Sequence, residues 1–313
     1  MSDLPLVSIV TPSYNQARFL EAALCSVLEQ DYPNMEYLVV DGASTDGSVD
    51  IIHRYADRLA WWVSEKDSGQ AEAINKGLRR AHGEIVGWLN SDDIYQPGAI
   101  AAAVKAFRSH PEAAVVYGDA LAIDVNGKSF NIMHASQFSL VDLMAFNIIC
   151  QPSAFMRRSV LEQANYLNPA YHLLMDHLLW ITMARVAPLV YVPQVWAAAR
   201  YHDQAKNRTR GAAWGREARV LVDDLKARPE FAEIITANKK RIMAGVDRFD
   251  AFYLTDSGQP GSALRLYGRA FRLHPPTALG DWKHILSAIF SLLGLQKIRD
   301  LYDRVRSRRL NDE

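Results

Sequence analysis

The stretch Ile85-Val86-Gly87-Trp88-Leu89-Asn90-Ser91-Asp92-Asp93 joins an apolar run to a cluster of polar residues. A short apolar run bounded by turn-forming residues is typical of a buried strand. Two neighbouring carboxylates cannot both be buried without partners, because an unpaired buried charge is very costly. The stretch therefore predicts a core strand that ends near Asn90 and presents Asp92 and Asp93 at the edge of a sheet.

The segments before this strand alternate between strand-like and helix-like patterns. Alternation of strands with amphipathic helices indicates a parallel sheet that is flanked by helices. We therefore predict an α/β fold with a Rossmann-like, mostly parallel central sheet. The predicted strands cover residues 6–11, 37–40, 61–63 and 85–89, and the predicted helices cover residues 19–28, 48–55 and 71–81.

Polar side chains follow the ends of these predicted strands, among them Asn15, Asp41 and Asp67. In an open α/β sheet, ligands bind at that edge. On the residues alone, Asp92 and Asp93 permit two interpretations: hard oxygen ligands for Mg²⁺ or Mn²⁺, or a solvated turn before the next helix. Residues 41–48 likewise fit a turn in which Ser44, Thr45 or Asp46 caps a helix.

Composition excludes several classes of protein. The 313 residues are 49% hydrophobic and 22% charged, which is ordinary for a globular protein. Lys+Arg and Asp+Glu both number 35, so the net charge is zero and gives no reason to expect nucleic acid as a partner. Phosphate-binding GxxxxGK and GxGxxG motifs are absent. The two cysteines, Cys25 and Cys150, form no metal-type cluster and favour a reducing, cytoplasmic location.

The C-terminal third has a different character, because helical patterns replace strand signals from about residue 212. Apolar residues at helical spacing between Trp282 and Leu293 precede residues 297–309, which carry six basic and two acidic residues, a net of 6 − 2 = +4. That combination is typical of a helix on an anionic membrane surface, here the inner face of the plasma membrane. The same stripe also fits packing on the rest of the chain or on a second copy in a homodimer.

Residues 11–15, 41–48 and 89–93 resemble, in order and spacing, the three successive signatures of family 2 glycosyltransferases of the GT-A fold. The linking segments resemble a bacterial polysaccharide-biosynthesis branch of that family. The resemblance covers roughly residues 6–205. It implies a GT-A catalytic domain over residues 1–211, with nucleotide-sugar binding in 1–119 and the acceptor side in 120–211. Residues 212–313 would then form a helical C-terminal extension.

The resemblance also implies roles on the donor side. Asp41 would accept a hydrogen bond from the nucleotide base, which is uracil in the expected UDP-sugar. Asp93 would be the direct ligand of Mn²⁺ or Mg²⁺, with Asp92 beside it near the ribose or the donor sugar. Ile74 stands where many relatives have an arginine, so Lys76 is expected to replace its phosphate contact. The other expected donor-binding residues are Pro12, Tyr14, Asn15, Asp67, His202 and Lys206, although a plain surface position stays open for His202.

On the acceptor side, Asp176 matches the carboxylate that acts as general base in inverting transfer. The alternative is that Asp176 simply caps its helix. Leu178 stands where relatives often carry a second acidic residue. The resemblance therefore implies an inverting, metal-dependent glycosyltransferase that moves a sugar from a nucleotide-diphosphate donor to a saccharide or lipid-linked acceptor.

Two other functions stay open on the sequence. A sugar-nucleotide nucleotidyltransferase shares this sheet plan, but such enzymes typically have a glycine-rich, basic loop after the first strand, and the first glycine here is Gly42. A non-catalytic nucleotide-sugar-binding module is disfavoured by the joint presence of Asp41, Asp92, Asp93 and Asp176.

Overall fold

A computed structural model describes residues 4–203 and 211–295. Lys206 and the basic residues 297–309 lie outside this described part of the chain. The chain forms two compact units. The first runs to Lys128 and adds Ile132–Gln137 and Ile149–Arg200, whereas the second combines Ser129–Asn131, Phe138–Ile148 and the described residues from Tyr201 onward. These units are defined by contacts alone, and the predicted domain boundary at residue 211 stays a prediction.

The described residues contain nine strands, and most of them belong to the first unit. The strands are β1 Val7–Ser13, β2 Met35–Asp41, β3 Trp61–Ser64, β4 Ile85–Trp88, β5 Ile94–Tyr95, β6 Val115–Ile123, β7 Ser129–Met133, β8 Ala154–Arg157 and β9 Leu189–Arg200. The sheet order is β3-β2-β1-β4-β8-β6-β9-β5, and β7 pairs with β6 beside this path. Strands β1 to β4 are parallel, as are β6 and β9, whereas β8 and β5 run antiparallel to their neighbours. The predicted mostly parallel sheet is therefore confirmed.

Helices of the first unit flank this sheet, as predicted. Helix α1 buries Phe19, Leu20, Leu24 and Val27 at spacings of three and four residues. The tryptophans Trp88, Trp180 and Trp196 are almost fully buried and therefore belong to the core. The helices up to residue 200 are α1 Ala17–Leu28, α2 Ser48–Tyr55, α3 Gln70–Arg80, α4 Ala99–Ser109, α5 Leu140–Met144, α6 Arg158–Gln163 and α7 Met175–Val186.

The second unit is helical, which confirms the predicted helical C-terminal region. The fully buried carboxylate of Asp247 contacts both Arg219 and Arg269, so its charge is compensated within the unit. None of the helices that the structure describes is long and apolar enough to cross a bilayer. The helices of the second unit beyond residue 210 are Gly211–Ala227, Pro229–Ala237, Lys239–Asp256, Pro260–Leu273, Pro275–Leu279 and Trp282–Leu292.

The register of the parallel strands brings their carboxyl ends to one edge of the first unit. Ser13 at the end of β1 lies opposite Asp41 at the end of β2, and Asp41 lies opposite Ser64 at the end of β3. On the other side of β1, the amide of Leu89 donates to the carbonyl of Val10 as β4 ends. The polar residues that follow these strands therefore start from the same edge.

Candidate functional site

The loops after β1 and β2 are joined by reciprocal hydrogen bonds. The amide of Asn15 donates to Ser44 Oγ at 2.8 Å, and the amide of Thr45 donates to Asn15 Oδ1 at 2.9 Å. Asn15 has a left-handed backbone with φ of 51°, a conformation that asparagine tolerates better than most residues. Helix α2 begins after Gly47, and Asp46 Oδ1 accepts the amide of Ser48, its first residue, at 3.0 Å, so Asp46 does satisfy the start of this helix.

Asp41 lies buried at the centre of this edge. Its carboxylate accepts the Ser44 amide at 2.8 Å, the Ser44 hydroxyl at 2.5 Å and the Ser64 hydroxyl at 2.7 Å. These bonds connect Asp41 to its own loop and to the end of β3. Because a carboxylate offers about four acceptor positions, Asp41 can still accept one further donor.

Tyr14 and Asp67 approach the chain at Gly42, directly after Asp41. A Cβ atom on Gly42 would lie 2.7 Å from Asp67 Oδ2 and 3.2 Å from Tyr14 Cδ2. Asp67 Oδ1 accepts the Gly69 amide at 2.9 Å, which fixes the carboxylate in this position. The structure thus brings Tyr14, Asp41 and Asp67 together, while the Pro12 side chain is buried in β1.

The adjacent carboxylates after β4 have different surroundings. Asp93 is only 6% exposed; its Oδ1 accepts the Arg200 amide at 2.9 Å, and its Oδ2 accepts Asn90 Nδ2 at 3.1 Å. Burial, with the nearby charge of Asp92, raises the pKa of Asp93 to about 8. Asp92 itself is half-buried. A fully solvated turn is therefore the wrong interpretation for Asp93.

Arg200, the last residue of β9, holds this loop and was missed by the sequence reasoning. Its Nε donates to the Asp92 carbonyl at 2.9 Å and its Nη1 donates to the Asp124 carbonyl at 3.0 Å. The guanidinium also lies 4.9 Å from the centre of the Phe19 ring. Burial lowers the pKa of Arg200, and the nearby carboxylates oppose this effect. No motif around Arg200 signals these contacts, which span 108 residues of sequence to Asp92.

A chain of amide side chains continues from this loop and was also not foreseen. Gln70 Nε2 donates to Asn90 Oδ1 at 2.8 Å, and Asn90 Nδ2 donates to Gln151 Oε1 at 3.0 Å. Gln151 Nε2 in turn donates to the Trp88 carbonyl at 2.8 Å. These bonds fix Asn90 between the start of α3 and the segment that leads into β8.

Asp176 is the second residue of α7, and the cap position is occupied by Leu174 without a side-chain cap. The interpretation of Asp176 as a simple N-cap is therefore wrong. Its Oδ1 accepts the amide of His177 at 2.7 Å, and the side chain is half-buried. Burial raises the pKa of the Cys150 thiol, and the charges of Asp93 and Asp176 raise it further, which places both carboxylates in the neighbourhood of Cys150.

Three expected donor-binding residues have other surroundings. Lys76 forms an ion pair with Glu65, with Nζ 2.8 Å from Oε1. His202 belongs to the second unit and is only 6% exposed, so a plain surface position is the wrong interpretation for it. Lys206 lies outside the described residues.

Within residues 4–203 and 211–295, no group of three or more His, Cys, Asp or Glu side chains is arranged to hold a metal ion. A divalent cation that shares substrate phosphate oxygens requires only one or two carboxylates from the protein. The half-exposed Asp92 beside a buried acidic neighbour provides that kind of donor set. The residues therefore fit a cation that binds together with a diphosphate.

A family model of glycosyl transferase family 2 matches residues 8–164, which is half of the chain. This segment contains the edge built by Tyr14, Asp41, Asp67 and the Asp92–Asp93 pair. The chain belongs to glycosyl transferase family 2.

Several proteins that this chain resembles in sequence come from bacteria. An uncharacterized glycosyltransferase of Rickettsia conorii is 29% identical over 211 residues, which cover 64% of this chain and 34% of the relative. TuaG of Bacillus subtilis, whose name assigns it to teichuronic acid biosynthesis, is 46% identical over 92 residues, 28% of this chain and 36% of TuaG. The matched part of the chain thus spans about a third of the length of three Rickettsia relatives, those of R. conorii, R. felis and R. bellii.

Solved structures agree with the fold of this chain. Staphylococcus aureus TarS, in complex with UDP, matches with a TM-score of 0.63 at 18% identity, covering 93% of this chain and 91% of that one. The mannosyltransferase PcManGT from Pyrobaculum calidifontis, in complex with GDP-Man and Mn²⁺, matches with a TM-score of 0.58 at 24% identity, covering 93% of this chain and 88% of that one. The predicted GT-A fold class is confirmed by this likeness.

Proposed function

We propose that this chain is an inverting glycosyltransferase that moves a sugar from a UDP-sugar to a saccharide or lipid-linked acceptor in bacterial polysaccharide biosynthesis. The observation that carries the proposal is that Asp41, Asp67, Asp92, Asp93 and Asp176 belong to one compact unit. The first four follow strand ends at the same edge of its sheet, and Asp176 shares the neighbourhood of Cys150 with Asp93.

Asp41 is the proposed acceptor for the uracil base. Its three hydrogen bonds leave one acceptor position, and the imide N–H of uracil is a donor. The exposed Tyr14 ring offers a surface on which a base can stack, and Asp67 lies directly beside it. The UDP complex of the structural neighbour TarS supports this choice of nucleotide.

Asp92 is the proposed cation ligand, rather than Asp93 as the sequence suggested. Asp92 is half-exposed, whereas Asp93 is only 6% exposed, so Asp92 is the more accessible of the two to a cation that arrives with the donor. Asp93 would then hold the loop, with Arg200, so that the Asp92 carboxylate meets the donor. A bound Mn²⁺ or Mg²⁺ would stabilise the negative charge of the departing diphosphate. The Mn²⁺ complex of PcManGT supports a divalent cation.

Asp176 is the proposed general base. Its carboxylate would take the proton of the acceptor hydroxyl while that oxygen bonds to the anomeric carbon of the donor. The bond from that carbon to the diphosphate breaks, and the nucleoside diphosphate leaves with the electron pair. Attack from the side opposite the leaving group inverts the anomeric configuration.

A single set of reactions separates this proposal from its two rivals. We expect UDP release and a glycosylated acceptor when the chain is incubated with UDP-sugars, Mn²⁺ and candidate acceptors. Pyrophosphate release from UTP and a sugar 1-phosphate would instead indicate a nucleotidyltransferase. Saturable binding of UDP-sugars without turnover on any acceptor would indicate a binding module.

The cellular location is part of the same proposal. Cys25 and Cys150 are both free thiols, which fits a reducing compartment. We therefore propose that transfer takes place in the cytoplasm, with nucleotide sugar as the partner and no role for nucleic acid. The involvement of His202 and Lys206 in holding the donor also remains a proposal.

The close approach at Gly42 gives a test of the base pocket. In Gly42→Ala the new methyl group would displace Asp67 and Tyr14, because it would lie 2.7 Å and 3.2 Å from them. We expect the donor KM to rise by about tenfold, equivalent to about 1.4 kcal/mol of binding free energy. Gly268→Ala is the matched control, since a Cβ at Gly268 meets no atom within 4 Å. Equal donor KM values for Gly42→Ala and Gly268→Ala would contradict the proposed base pocket beside Gly42.

Arg200 gives a test of how the carboxylate loop is held. Arg200→Lys keeps the charge but cannot reproduce the planar set of donors to the Asp92 and Asp124 carbonyls. We expect the Mn²⁺ concentration for half-maximal UDP binding, measured by calorimetry, to rise by roughly tenfold, or about 1.4 kcal/mol.

Arg157→Lys provides the control for Arg200→Lys. Arg157 also donates to two backbone carbonyls, those of Ala113 and Pro111, and lies over a ring, that of Phe107. It pairs with Ile85 at the start of β4 and so lies at the opposite edge of the sheet. Both variants should lose some thermal stability, but the Arg157 variant should keep the wild-type Mn²⁺ requirement. An equal rise of the Mn²⁺ requirement in Arg200→Lys and Arg157→Lys would show that Arg200 only stabilises the fold.

A further inference from the structure

The last described helix carries an apolar stripe on its outer face. Trp282, Leu286 and Leu293 are 53%, 40% and 64% exposed. Their spacings of four and seven residues place them along one side of the helix Trp282–Leu292 and its C-terminal end. We call these three residues the outer stripe.

The opposite side of the same helix is already committed to the core of its own unit. Ala288 is fully buried and Ile285 packs beside it, against Ala251, Ala263 and Tyr267. The inner residues of this helix thus pack within the second unit, whereas the outer stripe lies on its surface.

Charge is distributed unevenly along the chain and favours an anionic partner for this region. Residues 257–313 contain ten Lys and Arg and five Asp and Glu, a net of 10 − 5 = +5. Because the whole chain is neutral with 35 of each sign, residues 1–256 carry 25 − 30 = −5. Within the described helix, the Lys283 ammonium lies 5.7 Å from the centre of the Trp282 ring, so a basic group accompanies the stripe.

The size of the stripe argues against a second copy as its partner. From Trp282 to Leu293 a helix rises by about 17 Å, and a strip about 10 Å wide covers only about 170 Å². A stable protein interface buries roughly 800 Å² on each partner. Like charges would also face each other if two basic regions met. A lipid surface needs neither a large area nor a shape-matched partner.

We propose that the outer stripe docks this chain on an anionic lipid bilayer, with the helix lying in the interface and Lys283 among the lipid headgroups. Tryptophan and leucine enter the acyl boundary while basic groups remain among the phosphates. The proposal does not depend on the transferase activity. It places this helical region at the surface on which a lipid-linked acceptor would reside.

Vesicle flotation of the full chain tests the proposal. We expect recovery with vesicles of phosphatidylcholine and phosphatidylglycerol at low salt, weak recovery with phosphatidylcholine alone, and a decrease as salt screens the charges. The double variant Trp282→Ser, Leu286→Ser should bind these anionic vesicles with roughly tenfold lower affinity, because two side chains that insert into the bilayer are lost. Both positions are exposed, so the variant should fold, which circular dichroism would verify.

Val220→Ser is the matched control, since Val220 is an exposed apolar residue, 53% exposed, on a different helix of the same unit. It should bind vesicles as the wild type does. Equal flotation of the stripe variant and the wild type would overturn the proposal. So would a wild-type dimer in light scattering that the stripe variant abolishes, with no vesicle binding, because the stripe would then be a contact between copies.

Discussion

Asp176→Asn is expected to lower sugar transfer by roughly 10²–10⁴-fold while leaving donor affinity nearly unchanged. Asparagine keeps the shape of the side chain and can still accept the hydrogen bond from the His177 amide. It cannot take the proton of an acceptor hydroxyl. The measurements are the initial rate of acceptor glycosylation and the calorimetric affinity for UDP in the presence of Mn²⁺.

Glu162→Gln provides the comparison for this variant, because Glu162 is a carboxylate on α6 that pairs with Arg158 at the surface. Its transfer rate should match that of the wild type. Wild-type transfer by Asp176→Asn would show that another group is the base. Retention of the anomeric configuration in the product, observed by NMR, would reject the inverting mechanism whatever the rates.

Asp92→Asn is expected to reduce metal-dependent transfer and metal-dependent UDP binding by at least about 100-fold, because a cation at the leaving diphosphate contributes several kcal/mol. Stability should change little, since Asp92 is half-buried and its backbone carbonyl, which receives Arg200, is retained. Transfer, UDP binding across a Mn²⁺ titration and the thermal midpoint are measured together.

Asp93→Asn should behave differently. Its new amide group cannot satisfy both the Arg200 amide and the Asn90 side chain in their present orientations, so one donor loses its acceptor. We expect a lower thermal midpoint and a smaller loss of metal-dependent UDP binding than for Asp92→Asn. The reverse pattern would identify Asp93 as the direct ligand, which is the original sequence expectation.

Local sequence patterns were sufficient to predict the first four strands and the edge where the site forms. Strand and helix periodicity is a local property, and carboxylates such as Asp41 and Asp92 stand directly after the strands that position them. Parallel strands then bring these residues to the same edge without further information. The predicted helix over residues 71–81 differs from Gln70–Arg80 by a single residue at each end.

The partners of those residues were beyond the same reasoning. Arg200 joins Asp92 from 108 residues away, and Gln151 joins Asn90 from 61 residues away. Such contacts depend on the sheet order, in which β8 lies between β4 and β6 and β5 pairs with β9. The ion pair of Lys76 with Glu65 was likewise not foreseen, and a role of Lys76 at the donor phosphates stays a prediction.

Because β8 runs in the reverse direction, the segment before β8 and the residues that follow β1 to β4 can change independently of each other. Because β8 is antiparallel to β4, its first residue, Ala154, lies near the end of β4, and the preceding Gln151 reaches the Trp88 carbonyl. Residues just before β8 therefore enter the carboxylate edge from outside the run β1 to β4. Insertions there can alter what faces Asp92 without changing the register of the strands that carry Asp41.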